Sequence, residues 1–405
     1  MNVIFVEPAF PANQREFVRG LAAVGATVIG IGERPGDWLD DELRGWMQHY
    51  HQIVSVTDTT ALRHAVEWIQ DKVWVDRLEA TVEAHILSTA EVREACHIPG
   101  TSLRTAWLCR DKPSMKEVLR EAGIPTAASA GVDSAAEARE FARVVGYPLV
   151  VKPRSGAGAA GTTRVDSDTE LAAALESFGS VPSVAIEEFV EGHEGFYDTL
   201  SIEGGPDFEF VSHYFPGVLE AMRTRWISPQ FVATNRVDSA GDYDELKVLG
   251  RRVNAALGIG TSATHMEWFF GPKGLRFSEI GCRPSGVGAW DLYAQGNDID
   301  IYREWAHAIV HGHTTTRPSR RYAAGMIALR PTADGTIRGY DGVEEMQARY
   351  GEWVFDAHLP DPGTPTQPIE AGYMANAYVR MKHHDYDILR GMLGDVGESV
   401  TVHAG

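Results

Sequence analysis

Strand-length apolar runs alternate with helix-length amphipathic runs through the first hundred residues, and that alternation narrows the beginning of the chain to one kind of sheet. NVIFVE at 2–7, TVIGI at 27–31 and HQIVSV at 51–56 read as strands. Residues 12–24 carry Phe17, Leu21 and Val24 at helical spacing, and 59–71 carry Leu62, Val66 and Ile69. Strands joined by crossover helices predict a parallel sheet with helices on both faces. No GxGxxG follows the first strand, so no dinucleotide site is expected there. The start, MNVIFVEPAF, lacks a basic n-region and is expected to be that first strand rather than a signal peptide.

The pattern then changes. Helices are expected over about 111–122 and 134–145, a strand at YPLVVKP (147–153), and strands with turns through 184–215. A helix near 242–257 precedes paired strands at 262–270 and 275–280, and another helix is expected over about 298–311. RPSRR at 317–321 reads as a linker, and the strand-rich remainder as a small α+β unit. A chain of 405 residues exceeds one ordinary core. Three domains are expected, 1–105, 106–315 and 316–405, with a smaller lobe over about 125–190 inside the second.

Lys plus Arg number 37 against 56 Asp plus Glu, a formal charge of -19. Nucleic acid and anionic membranes both need a basic footprint, so neither is an expected partner. A local cluster of Lys and Arg can still bind phosphate within an acidic surface. Cys96, Cys109 and Cys282 show no CxxC spacing and suit free thiols in a reducing cytosol, so a cytoplasmic location is expected. No apolar run approaches the roughly 18 residues of a membrane span.

Two segments carry chemistry. In KPRSGAGAAGTTRV, Gly156, Gly158 and Gly161 spell GxGxxG. The dinucleotide version requires a helix to follow, whereas here TTRVD follows and no helical pattern begins before about Asp168. The loop therefore joins two strands. It can drape backbone N–H groups over phosphates, with Lys152 leading into it, or it can be a plain surface hairpin.

The second segment is THMEWFF–GPKG–LRFSEIG. A three-residue loop of Pro272, Lys273 and Gly274 suits a type I turn followed by a left-handed residue. Gly271 then pairs with Leu275 and Glu267 faces Glu279, with His265 on the same face. Like charges directly opposite are destabilising and ask for a cation. Mg²⁺ accepts one or two carboxylates plus substrate phosphates. Two solvated glutamates on an exposed face are the structural alternative. Arg283, four residues after Glu279, can neutralise a phosphoryl or acyl oxyanion.

In this order the pieces resemble the ATP-grasp superfamily over about 1–315, and the last lobe resembles the carboxy-terminal domain of biotin-carboxylase-like and L-amino-acid ligases. The resemblance implies a mixed α/β and α+β fold. A Rossmann-like parallel-sheet domain would precede a two-lobed ATP-grasp domain and a small C-terminal α+β domain. It implies Lys112, in RDKPSMK, as the first nucleotide lysine and Lys152 as the second, contacting phosphate and adenine. Ser155, Gly156, Ala157, Gly158, Gly161 and Thr162 would form the phosphate-covering loop. Glu187, Glu188, Phe189 and Val190 would read adenine, with Glu187 facing the exocyclic amine and Val190 offering backbone. Glu194 would bind ribose hydroxyls. Glu267 and Glu279 would hold Mg²⁺, with Mn²⁺ as an alternative, and Arg283 would steady the reacting carboxylate and acyl phosphate. One departure stands out: EIGCR places Gly281 where many members have an Asn metal ligand.

The reaction implied is ATP-dependent joining of a small carboxylate and an amine through an acyl phosphate, with ADP and phosphate released. A biotin-carboxylase-like component is an alternative, although HYFPGVLEAMRTRWISPQF lacks that group's basic run. A relative that binds ATP without turnover is another. Arg223, Arg225, Trp226 and His265 are pocket candidates. Either arginine would hold a substrate carboxylate, and His265 would act as a base or polar contact. For each, an ordinary structural role remains open. The family commonly forms dimers, so a homodimer is the assembly the resemblance allows.

Overall fold

The computed structural model describes residues 1–155, 161–179, 183–239, 241–368 and 376–405. Strands Asn2–Val6, Thr27–Gly32, His49–Gln52 and Arg77–Glu79 form one sheet, parallel at every pairing. Ile4 and Val6 pack with Leu62, Val66 and Ile69 of the helix Thr59–Gln70. Val3 and Phe5, on the other face, pack with Phe17 and Leu21 of the helix Gln14–Ala23. Burial on both faces is why the first strand is apolar throughout rather than alternating. The third strand differs from expectation. It is the polar HYHQ, and the more apolar IVSV forms the connection that follows, inserting Val56 into the core before Asp58 caps the next helix.

Phe17 meets Tyr302 and Trp305 edge-on, with centroids 4.9 and 5.0 Å apart, which ties this sheet to the helix Ile301–His311. That helix was expected from about 298. Instead, a separate helix, Ala289–Asn297, ends at Asp298, whose φ of 53° breaks the helical path. Asp300 then caps the second helix by accepting from the Arg303 N–H.

A second sheet is small and antiparallel, in the order Ser129–Val132, Val184–Glu188, Leu149–Pro153, Thr163–Val165. Helices Ala135–Val145 and Asp168–Glu176 cover it and share its own core. Ser134 and Ser167 cap them, each with a Glu three residues on that reaches back to the preceding backbone, the S-x-x-E signature of a helix start. The glycine-rich loop joins the antiparallel strands Leu149–Pro153 and Thr163–Val165. Gly156, Ala157 and Gly158 lie outside the described residues. Gly161 has a φ of 68°.

The third sheet has eight strands, antiparallel throughout, in the order Gly274–Gly281, Ser262–Gly271, His193–Ile202, Gly205–Phe215, Gln230–Ala233, Ala323–Leu329, Ala377–His383, Val354–His358. The last three come from beyond residue 316. They extend the central sheet instead of closing on themselves, because Gln230–Ala233 would otherwise leave an unpaired edge. Among the described residues no helix is long and apolar enough to cross a membrane.

Candidate active site

Glu267 is paired with Glu279, but by a different route from the expected turn. The turn is one residue tighter: Gly271 pairs with Gly274 and Phe270 with Leu275, with Gly274 left-handed at a φ of 74°. An extra residue, Ser278, then sits between the Trp268–Phe277 and Glu267–Glu279 pairs. A bulge of this kind adds one position to one strand and restores the offset the tighter turn removed.

The two carboxylates are in unlike environments. Burial, and then the charge of Glu279, push Glu267 up to about 8. Burial also pushes Glu279 up, but Lys112 and Lys152, with Nζ 3.3 and 3.7 Å from its Oε2, outweigh that and hold it below the usual carboxylate range. A facing, half-buried pair with one carboxylate short of a counter-charge is the arrangement a divalent cation satisfies, so the residues present fit a metal here.

Local sequence explains how the lysines arrive. Asp111 caps the helix Lys112–Glu121 by accepting from the Ser114 N–H, with Pro113 in the first turn. Asp111 also holds Arg154, at 2.9 and 3.1 Å. One helical turn on, Lys116 shares the inward face of Lys112 and has no exposed surface. Its Nζ lies 2.7 Å from Glu187 Oε2, and Lys152 Nζ lies 2.8 Å from the same oxygen. Burial pushes the Glu187 carboxyl up, but the two lysines prevail and hold it down to about 2. Burial brings Lys116 down to about 8 against the pull of Glu187. Glu187 stands on the cleft wall with its carboxylate charge matched by lysines. One oxygen is held by two lysines, and Oε1 is buried with no hydrogen bond.

These groups line a cleft of about 960 Å³ between the small sheet and the eight-stranded sheet. Ser155, Thr162, Phe189, Val190 and Arg223 are also on its wall. The Arg164 guanidinium stacks 4.4 Å from the Phe189 ring, and Arg223 donates to the Thr162 carbonyl at 3.3 Å. Glu188 accepts from the Ala128 N–H and pairs with Lys273. Glu194 accepts from the Val218 N–H at 2.6 Å, and burial raises its carboxyl to about 7.

Of the remaining candidates, His265 stays beside the glutamate pair, its Nε2 3.9 Å from Glu267 Oε1, and the others are not on the cleft wall. Arg225 pairs with Asp334, so its charge is already engaged, and Trp226 is 88% exposed. Arg283 donates from Nε to Glu83 at 2.8 Å and from a terminal nitrogen to the Pro284 carbonyl at 2.7 Å. Glu83 also pairs with Arg110, so one acid holds both arginines beside the end of the hairpin. A Cβ added at Gly281 would stand 3.1 Å from Glu83 Oε2, so the place of the missing Asn side chain is taken up by Glu83. His265 is tied through Nδ1 to Asp198 at 2.8 Å, and the Tyr293 hydroxyl donates to the other Asp198 oxygen at 2.6 Å.

Sequence reasoning did not single out Lys116, Glu83, Asp198 or Tyr293. Only Lys116 left a signal there, its four-residue spacing from Lys112. The others come from distant strands and helices.

Residues 117–297 match the family model of the ATP-grasp domain. The chain carries an ATP-grasp domain. The L-arginine-specific L-amino acid ligase of Bacillus subtilis is 26% identical over 316 residues, 76% of this chain and 75% of that protein. A formate-dependent phosphoribosylglycinamide formyltransferase of Bordetella bronchiseptica is 26% identical over 419 aligned positions, 98% and 97% of the two chains. The crystal structure of the L-amino acid ligase from Bacillus licheniformis superposes with a TM-score of 0.78 over 100% of this chain and 98% of that one. Its identity is 18%, so this likeness is one of fold. A biotin carboxylase domain of Hydrogenobacter thermophilus, which shares the fold at a TM-score of 0.69 and 16% identity over 99% of this chain and 90% of that one, is described in complex with MgADP.

Proposed function

We propose that this protein is an ATP-dependent ligase that joins a small carboxylate to an amine through an acyl phosphate, releasing ADP and phosphate. The observation that carries this reading is the half-buried Glu267–Glu279 pair, set beside Lys112 and Lys152 in a cleft of nucleotide size. ATP is bound with its adenine by Phe189 and Val190, where the free Oε1 of Glu187 accepts from the exocyclic amine. Glu194 takes the ribose hydroxyls. Lys112, Lys152 and the loop from Ser155 to Thr162 take the phosphates. Glu267 and Glu279 hold Mg²⁺, or Mn²⁺ in its stead, which when bound neutralises phosphate charge.

A carboxylate oxygen of the first substrate attacks the γ-phosphorus, and the bond to the ADP oxygen breaks. The amine nitrogen then attacks the acyl carbon, phosphate leaves with the former carboxylate oxygen, and the amine loses a proton. Arg283 steadies the reacting carboxylate and the acyl phosphate. Pre-placed positive charge and positioning supply most of the rate. An amino acid is the first substrate class to try, since two of the relatives are named L-amino acid ligases. The buried free cysteines suit a cytoplasmic enzyme.

Phosphate release is measured for acids against amines with ATP and Mg²⁺. ADP and phosphate are the expected products, with ¹⁸O passing from the labelled carboxylate into phosphate, and Glu279→Ala gives none. AMP and pyrophosphate would overturn the acyl-phosphate route. Turnover that requires bicarbonate would favour a carboxylase.

A further inference from the structure

We infer that His265 is a third protein ligand of the cation, supplying by an imidazole nitrogen the contact that Gly281 does not supply. This rests on the reading of Glu267 and Glu279 as the metal pair. His265 stands directly across the hairpin from Gly281 and two residues before Glu267, on the face that carries both glutamates. The position without a side chain and the position with an unusual one therefore form a single cross-strand pair, next to the carboxylate pair.

The ring is prepared for such a role. Asp198 is 1% exposed and lies in the adjacent strand, directly paired with His265. It accepts from His265 Nδ1 at 2.8 Å and from the Tyr293 hydroxyl at 2.6 Å. A carboxylate has no hydrogen to give, so the hydrogen of this bond is on Nδ1, and Nε2 is the nitrogen turned toward Glu267. The ring edge also packs on Phe196, with centroids 5.0 Å apart, which limits its rotation. A carboxylate behind a histidine is the usual support of a metal-bound imidazole, because it fixes the tautomer and strengthens the donor nitrogen.

The spacing is that of two ligands of one ion. Nε2 lies 3.9 Å from Glu267 Oε1, too far for a hydrogen bond. Two donors at about 2.1 Å from a metal stand about 3.0 Å apart when adjacent and about 4.2 Å apart when opposite. The gap lies between those two values, and both side chains come from one strand, so a small side-chain rotation lets one ion touch both atoms. Among the described residues no three His, Cys, Asp or Glu side chains already close on one point. On the other strand, Glu279 lies against Lys112 and Lys152. Nucleotide phosphates give those lysines other partners and release Glu279 toward the ion. A nitrogen donor also changes the preference among ions. It suits Mn²⁺ and Co²⁺ better than Mg²⁺, which favours oxygen.

The test uses Mn²⁺ with ADP and full-length protein labelled with ¹⁵N-histidine, read by pulsed electron paramagnetic resonance. The expected result is a histidine nitrogen coupled directly to Mn²⁺, absent in His265→Ala. Asp198→Asn, which keeps the shape of the buried side chain, is expected to retain the fold and to bind Mn²⁺ about 10- to 100-fold more weakly. Mn²⁺ bound with ADP but without histidine coupling would overturn this inference and leave the ligase reading standing. Failure to bind Mn²⁺ and ADP at all would overturn both.

Discussion

Glu187 is the residue on which the cleft is most tightly built. Its carboxylate is 5% exposed and accepts two lysines that approach from different elements, Lys116 from a helix and Lys152 from a strand. Removing the charge leaves two buried ammonium groups sharing no acid, which costs about 3–5 kcal/mol for a broken buried pair. Glu187→Gln is therefore expected to lower the unfolding free energy by that margin, read as a lower urea midpoint, and an unchanged midpoint would refute the role. The pH dependence has a definite sign. The folded carboxyl, at about 2, lies below its ordinary 4.5. Its contribution is full above 4.5 and is lost as pH falls toward 2, so the gap between wild type and Glu187→Gln narrows across that window.

At the scale of elements, the hairpin shows how a correct pairing can come from a turn and a bulge together. Pro272, Lys273 and Gly274 made a reversal legible in the sequence, and the left-handed Gly274 has the conformation they call for. The register was another matter. The tighter turn alone would have set Glu267 opposite Ser278, and the inserted Ser278 sets it opposite Glu279. Nothing local in LRFSEIG marks Ser278 as a bulge. It arises where this edge strand must follow the twist of seven others. The helix Asp244–Leu257 shows the reverse dependence, of an element on its contact. A Cβ at Gly250 would stand 2.2 Å from the Tyr197 ring, which is fully buried and held by Glu209. Ala favours a helix by about 1 kcal/mol over Gly, but overpacking a rigid ring costs about 1–3 kcal/mol. Gly250→Ala is expected to lower stability in urea, and a rise would mean the helix shifts freely on the sheet.

On the scale of the whole molecule, the cleft is a joint between two sheets that share few side chains with each other. The small sheet has a core of its own, and the eight-stranded sheet has others. A nucleotide contacting both must stabilise the assembly as any native-state ligand does, by about 2.7 kcal/mol at one hundred times its dissociation constant. ADP with Mg²⁺ is expected to raise the thermal midpoint in proportion to the logarithm of its concentration, and Lys152→Ala to remove most of the gain. A midpoint indifferent to ADP would place the nucleotide elsewhere.

What the sequence determined by itself were the properties that depend on near neighbours. Alternating apolar runs specified the parallel sheet, and Ser and Asp caps specified helix starts. The β-branched TTRV after the glycine loop excluded a dinucleotide turn. The side-chain period of a strand put His265 and Glu267 on one face. Tertiary structure alone decided the relations between distant segments. These are the two lysines converging on Glu187, Glu83 in the space beside Gly281, Asp198 behind His265, and the strands beyond residue 316 joining the central sheet. The physical reason is range. Backbone conformation and side-chain facing are set within a few residues of chain. Which charges meet in a buried cleft depends on how whole sheets and helices pack.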